Sequence, residues 1–174
     1  AASAGIAGQS SQGDAGNTSP PTTSVPLRHG PDGVGLVVAL SLRGLNIQWP
    51  FSQLLVAGVK KEELRDYVLG HRNIAQANTE MWLIEAPGHI ESTSKNVVVD
   101  GVAIGARPKA AQIVGTIEFS GETCYADQAA FRDDAPNHRA REGGAYDWEG
   151  PAAGPRYAWP AAYVRPLDAP VPVA

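Results

Sequence analysis

A chain of 174 residues, of which 43% are hydrophobic, is long enough for one packed core and short for two. Its formal net charge of -4 excludes a global basic field of the kind that binds a phosphate backbone without regard to sequence, so any contact with nucleic acid has to be local. The single cysteine, Cys124, excludes an intramolecular disulfide and indicates a reducing intracellular compartment, and no apolar run approaches the roughly 18 residues that span a bilayer.

Residues 1–33 are low-complexity sequence rich in Ala, Gly, Ser and Pro. They hold few large apolar groups and cannot offset the roughly 1–2 kcal/mol of backbone entropy that each ordered residue loses, so we predict an arm that is disordered alone. The sequence begins at Ala1 without Met, which is compatible with removal of a targeting peptide and with an organellar compartment. The folded domain is then predicted to span residues 34–174.

The first part of this domain is predicted to contain a strand, a helix and a second strand. Residues 36–42 are a short, continuous β-prone run, typical of a strand buried on both faces. Residues 50–58 begin with Pro, end with Gly and carry apolar side chains at helical spacing, which predicts a helix of about two and a half turns. Residues 61–68 change to period two, which predicts a half-buried strand. One face of this strand carries Lys61, Glu63, Arg65 and Tyr67, and the other carries Leu64 and Val68.

The second part is predicted to contain three more strands and a short helix. Residues 81–86 and 112–119 have the composition of strands, and Asp127 is placed to cap a helix that runs through Phe131. Residues 157–165 predict a proline-interrupted strand that lies at a sheet edge or carries a bulge. Because no strand-helix-strand unit repeats, we predict an α+β fold, a small mixed β-barrel with two or three short helices.

Several segments resemble a known domain family in the same order. Residues 58–65, which read Gly-Val-Lys-Lys-Glu-Glu-Leu-Arg, resemble the Gly-x-Lys-x-x-Glu-x-Arg turn of ASCH domains. Residues 39–43 and 48–55 are similar to the strand and helix that precede this turn, except that Gln-Trp-Pro stands where many relatives have Gln-Pro-Trp. Residues 114–118 resemble the glycine-containing middle strand, and segments within residues 157–172 resemble the closing strand. The chain therefore resembles the ASCH family, in the PUA-like group, over roughly residues 36–172.

This resemblance implies a PUA-like fold and a role in binding RNA or a nucleotide. It also implies a hydrolase alternative, because one branch of the family removes acyl groups from modified cytidine with a Lys and Thr pair, and other relatives are ribonucleases. By position that pair corresponds to Lys60 and Glu63, so that glutamate replaces the threonine here. Lys60 and Glu63 are thus the catalytic candidates if the chain is an enzyme.

The residue types themselves suit a ligand site at the mouth of a barrel. Lys60 follows a predicted helix end, and Glu63 and Arg65 project together from the next strand. A buried lysine can act as a base, a carboxylate can hold a proton, and an arginine can fork onto a phosphate. A structural ion pair between Glu63 and Arg65 is the alternative. Trp49 is a further ligand-binding candidate that either stacks a base or anchors the core.

We predict neither a metal site nor a cofactor. The four histidines are His29, His71, His89 and His138, and they lack metal-ligand spacing. Three functions stay open: a module that binds RNA or a nucleotide through Lys60, Glu63, Arg65 and Trp49; a structural or accessory subunit of a larger, organellar assembly, docked through residues 1–33; and a hydrolase of an acylated nucleoside or RNA.

Overall fold

The computed structural model describes residues 42–88, 97–99, 101–150 and 154–173. The predicted arm at residues 1–33 lies outside these residues, as does the predicted first strand apart from Leu42. Docking of the arm on a larger assembly therefore stays a prediction. None of the described helices is long and apolar enough to cross a membrane.

The described residues form a mixed α+β fold in which a six-stranded sheet is accompanied by three short helices and a separate hairpin. The elements in chain order are β1 (Gly44–Gln48), α1 (Phe51–Val56), β2 (Glu62–Arg65), a 3-10 turn (His71–Asn73), β3 (Met81–Ala86), β4 (Val97–Val99), β5 (Val102–Ile104), β6 (Gln112–Phe119), β7 (Thr123–Cys124), α2 (Gln128–Asp133), α3 (Ala135–His138) and β8 (Tyr157–Pro172). The α+β class predicted from the sequence is confirmed.

The large sheet has the strand order β1-β3-β6-β8-β2, and β7 also pairs with β8. Strands β1 and β3 are parallel, and the other neighbours are antiparallel. Residues 157–160 of β8 pair with β2, whereas residues 161–172 pair with β6. Strands β1 and β2 stand at the two ends of this order, and no backbone ladder joins them within the described residues. The closed barrel expected from the sequence is therefore not found in this part of the chain.

Two predicted strands, β3 and β6, have the bounds expected from their sequence, whereas α1 and β2 are shorter than predicted. Helix α1 ends at Val56 because the backbone N–H groups of Val59 and Lys60 both donate to the carbonyl of Leu54, at 3.0 Å each. Gly58 takes the left-handed conformation that this turn requires, with φ of 69°. The predicted helix cap at Asp127 is confirmed, since its side chain accepts a 2.8 Å hydrogen bond from the N–H of Ala130.

Strand β8 is longer than predicted and ends at Pro172. Its pairing with β6 shifts register twice, so the expected bulge is confirmed. The alternative expectation, an edge position, does not hold for residues 157–158, which pair with β2 and also with β7. Beyond Ala161 the described partner of β8 is β6 alone. Prolines are tolerated there because no second ladder requires the N–H donor that proline lacks.

The main core lies between the sheet and α1. Trp159 of β8 is fully buried at its centre and meets the ring of Phe119 edge-on, with centroids 5.5 Å apart. Leu45 and Ile47 fill the same core from β1, where buried and exposed positions alternate. A buried carboxylate, Glu85 of β3, joins the sheet to α1 by accepting hydrogen bonds from Ser52, Gln53 and Gln112 at 2.6, 2.6 and 2.9 Å.

Candidate functional site

The turn after α1 directs Lys60 into the protein, where only 3% of the residue is exposed. Its ammonium donates a 2.6 Å hydrogen bond to the backbone carbonyl of His138 at the end of α3. It also lies 3.5 Å from a carboxylate oxygen of Glu63 and 5.6 Å from the centroid of the Phe51 ring. Lys60 thus ties α1 and β2 to α3.

Glu63 and Arg65 share one face of β2, as the period-two pattern predicts. The Nη2 of Arg65 lies 3.2 Å from Oε1 of Glu63, so Glu63 stands between two cations. Leu64 points the opposite way and packs with Tyr125 and Phe131. The structure therefore brings Lys60, Glu63 and Arg65 into one continuous chain of charges.

Arg65 also reaches from β2 to β1, the two end strands of the sheet. Its Nη2 donates a 2.8 Å hydrogen bond to the carbonyl of Asn46, and its guanidinium carbon lies 5.9 Å from the ring centroid of Trp159. The Nε of Arg65 is buried and has no hydrogen-bond partner in the part of the chain that the structure describes. The Nη2 of this guanidinium is thus held in place, whereas its Nε–H donor has no partner among the described residues.

Two tyrosines lie near this arginine, and a histidine ring contacts one of them. The hydroxyl of Tyr146, a residue that is 40% exposed, lies beside the guanidinium. Tyr67 packs on Trp159, and His71 follows with its ring centroid 5.4 Å from that of Tyr67. We call Arg65, Tyr67, His71 and Tyr146 the aromatic-arginine patch.

The pKa values of Lys60 and Arg65 are shifted in opposite directions. Burial lowers the pKa of Lys60, and the attraction of Glu63 offsets this only in part. Burial also tends to lower the pKa of Arg65, but Glu63, Tyr67 and Tyr146 together raise it above its usual value. Arg65 is therefore a permanent cation, while Lys60 gives up its proton more easily than an exposed lysine does.

The other face of β2 holds a second acidic group. The Tyr125 hydroxyl donates to a carboxylate oxygen of Asp134 and lies 3.3 Å from one of Glu62. Burial, together with the adjacent Asp134, raises the pKa of Glu62 to about 7. Despite the cost of burial, hydrogen bonds from Glu62, Tyr125 and Asn137 lower the pKa of Asp134. Glu62 and Asp134 thus behave as a pair that holds one proton.

Trp49 lies apart from these charges. It is 1% exposed, packs with Leu54 and Ile104, and donates its indole N–H to the carbonyl of Gly105 at 3.1 Å. It therefore presents no open face on which a base could stack in this conformation.

Sequence reasoning did not find Tyr146 or the carbonyl of His138 as parts of the site. The His138 ring is held by two backbone bonds: Nδ1 accepts from the N–H of Ala140 and Nε2 lies 2.9 Å from the carbonyl of Phe131. Both residues come from the segment between α2 and β8, and only the tertiary fold brings that segment to β2. The position of Tyr67 on the Glu63 face was the one available sequence signal for the patch.

No model of a known protein family matches this chain, and a search of curated proteins finds no match either.

Proposed function

We propose that this chain is an ASCH-type module that binds a nucleotide or a short single-stranded RNA at the aromatic-arginine patch. The observation that carries the proposal is the position of Arg65, which is fixed by Glu63 and Asn46 and surrounded by the rings of Tyr67 and Tyr146. An anchored guanidinium is suited to a phosphate, and an exposed ring such as that of Tyr146 is suited to a base of any identity. Lys60 and Glu63 then serve to hold Arg65 in place.

The surroundings of the patch support an anion as the ligand. Arg72 lies in the same 3-10 turn as His71, and Arg43 donates to the carbonyl of Asn73 at the end of that turn. Both arginines are exposed. Two exposed arginines at the turn that carries His71 are a local source of positive charge in a chain with net charge -4.

For the fold, we propose the finer description of a PUA-like barrel. The hydrogen bond from Arg65 to the carbonyl of Asn46 supports it, because it connects β2 and β1 across the gap between the sheet ends. A side chain thus spans the position that a backbone ladder occupies in a fully closed barrel.

The proposal is tested by fluorescence anisotropy with labelled oligouridine and oligoadenosine, and by calorimetry with free nucleotides. We expect Tyr146→Ala to weaken RNA binding about tenfold, since loss of one stacked base is worth roughly 1–3 kcal/mol. Arg65→Lys keeps the charge but loses the planar fork, so affinity for RNA and nucleotides also falls.

The control is Tyr163→Ala, because Tyr163 lies under the guanidinium of Arg165 at 4.6 Å but belongs to the part of β8 that pairs with β6. It removes a tyrosine from an arginine-tyrosine pair outside the patch and leaves affinity unchanged. Equal affinity of wild type, Tyr146→Ala and Arg65→Lys for every ligand would remove the patch as the binding site.

The hydrolase alternative is favoured by one observation, the lowered pKa of Lys60, which suits a general base. Against it stand the burial of the Lys60 ammonium and its bond to His138. Incubating the protein with N-acylated cytidines and with RNA separates the two functions. Turnover that disappears in Lys60→Ala supports the hydrolase, whereas binding without turnover supports the module.

A further inference from the structure

A pocket of about 570 Å³ opens between α1, β4 and α3. This volume lies within the range of roughly 300–1,000 Å³ that is usual for small-molecule sites. Most of the residues that form its walls are apolar, and six of them are Pro50, Phe51, Leu54, Val98, Val99 and Pro136. The size and the lining match a site for an organic molecule rather than for a bare ion.

The charged residues that line the pocket are both positive. They are Arg139 and Arg141, and no acidic residue lines it within the described part of the chain. Arg141 is exposed, and its backbone carbonyl accepts a hydrogen bond from Gly144. In a protein with net charge -4, the guanidinium of Arg141 brings a positive charge to the rim of this pocket.

The pocket is held open by contacts already described. Phe51 forms part of its wall and also lies 5.6 Å from the ammonium of Lys60, which binds the carbonyl of His138. This bond fixes the spacing of α1 and α3, the two helices on either side. A wall that is fixed before the ligand arrives reduces the ordering that binding requires.

We propose that this pocket binds a small organic carboxylate with an apolar or aromatic body. The body lies against Phe51 and Val99, and the carboxylate meets Arg141 at the rim, where a guanidinium offers two parallel donors. A doubly charged phosphate fits less well, because one exposed arginine at the rim replaces little of its lost hydration. The inference is independent of nucleotide binding at the aromatic-arginine patch.

Calorimetry with phenylbutyrate as the probe tests this proposal, with phenylbutanol and phenylbutylamine as matched neutral and cationic probes. We expect saturable binding of phenylbutyrate, and binding about tenfold weaker for the alcohol and weaker still for the amine, because each lacks the charge-assisted bond. Inorganic phosphate at the same concentration does not displace the probe. Equal affinity for all three probes, displacement by phosphate, or no saturable binding of phenylbutyrate would overturn the assignment.

Variants of the full chain locate the site. Arg141→Ala weakens phenylbutyrate binding about tenfold, whereas Arg165→Ala, which removes an arginine whose side chain is 70% exposed, leaves it unchanged. Ala135→Trp fills the pocket from α3, and Val98→Trp fills it from an exposed position on β4 that tolerates substitution if the first variant does not fold. Unchanged binding in Arg141→Ala, or in a folded tryptophan variant, would place the probe elsewhere.

Discussion

The ammonium of Lys60 and the carboxylate of Glu63, both almost fully buried, lie 3.5 Å apart, and Arg65 approaches the same carboxylate to 3.2 Å. One acid therefore serves two cations. The loss of Glu63 leaves both cations without an acidic partner in this chain of charges, whereas the loss of Lys60 leaves the Glu63–Arg65 pair intact.

We accordingly predict that Glu63→Gln lowers the free energy of unfolding by about 3–5 kcal/mol, the usual cost of breaking a buried pair. Lys60→Met costs less, because burial already disfavours the charged form of Lys60 and methionine fills a similar volume. Urea unfolding at neutral pH measures both, with the exposed Glu142→Gln as a control. A larger loss in Lys60→Met than in Glu63→Gln would contradict the central role of the carboxylate.

Glu62 predicts a specific dependence of stability on pH. Its folded pKa of about 7 exceeds its usual value of 4.5, so the folded chain binds more protons than the unfolded chain between these values. Stability contributed at Glu62 therefore decreases as pH rises from 4.5 to 7. Asp134, whose pKa is lowered, has the opposite sign: its contribution is present above its usual value of 3.8 and is lost on acidification.

Glu62→Gln removes the decrease between pH 4.5 and 7, which melting temperatures measured across this window detect. The exposed Glu149→Gln is the control, since it changes the same charge without touching the Glu62–Asp134 pair. An identical pH slope in wild type and Glu62→Gln would show that Glu62 does not hold the proton.

Gly115 predicts a steric requirement in the middle of β6. A Cβ at this position would collide with the carbonyl oxygen of Arg165 on β8, next to a shift in the register of the two strands. Gly115→Ala is expected to lower stability by about 1–3 kcal/mol or more, because backbone cannot move aside cheaply. At Gly121 a Cβ meets nothing within 4 Å, so Gly121→Ala is the matched control and leaves the melting temperature unchanged or slightly raised. Equal effects of the two substitutions would contradict the close approach of β6 and β8.

The proposed RNA site predicts a weak dependence on salt. Each phosphate contact on a single strand contributes about -0.7 to the slope of log K against log salt. Arg65, Arg43 and Arg72 offer at most three such contacts, so we expect a slope no steeper than about -2. Anisotropy titrations at several salt concentrations give the slope. A much steeper value would mean that the strand follows a different, more basic surface.

The sequence predicts best the elements whose pattern reflects local burial. Strands β3 and β6 were predicted with their observed bounds because β3 is a short apolar run, β6 is rich in β-branched residues, and both end at turn residues. Strand β1 was missed although Leu45 and Ile47 alternate with Asn46 and Gln48, because its short pattern follows directly on the strand predicted at residues 36–42. The hairpin of β4 and β5 was missed despite an Asp-Gly pair between two apolar runs, which is a strong hairpin signal.

For the site as well, features encoded locally were predicted, and features that depend on the tertiary fold were not. Lys60, Glu63 and Arg65 were grouped correctly because helix end and strand alternation are local properties. Their buried state and their contact with His138 depend on how the segment after α2 folds back, which no local pattern encodes. The length of β8 was underestimated because prolines usually end a strand, whereas here they fall where the described ladder is one-sided.

The shared strand β8 also constrains when the protein can mature during synthesis. Residues 62–65 join the sheet through residues 157–160, so β2 has no described ladder partner until the intervening chain has left the ribosome. At roughly 5–20 residues per second, that delay is on the order of several seconds. During this interval Lys60, Glu63 and Arg65 are hydrated side chains on a nascent polypeptide. A stalled or truncated translation product that lacks β8 therefore exposes the unpaired edge of β2, and it offers a ligand no assembled site.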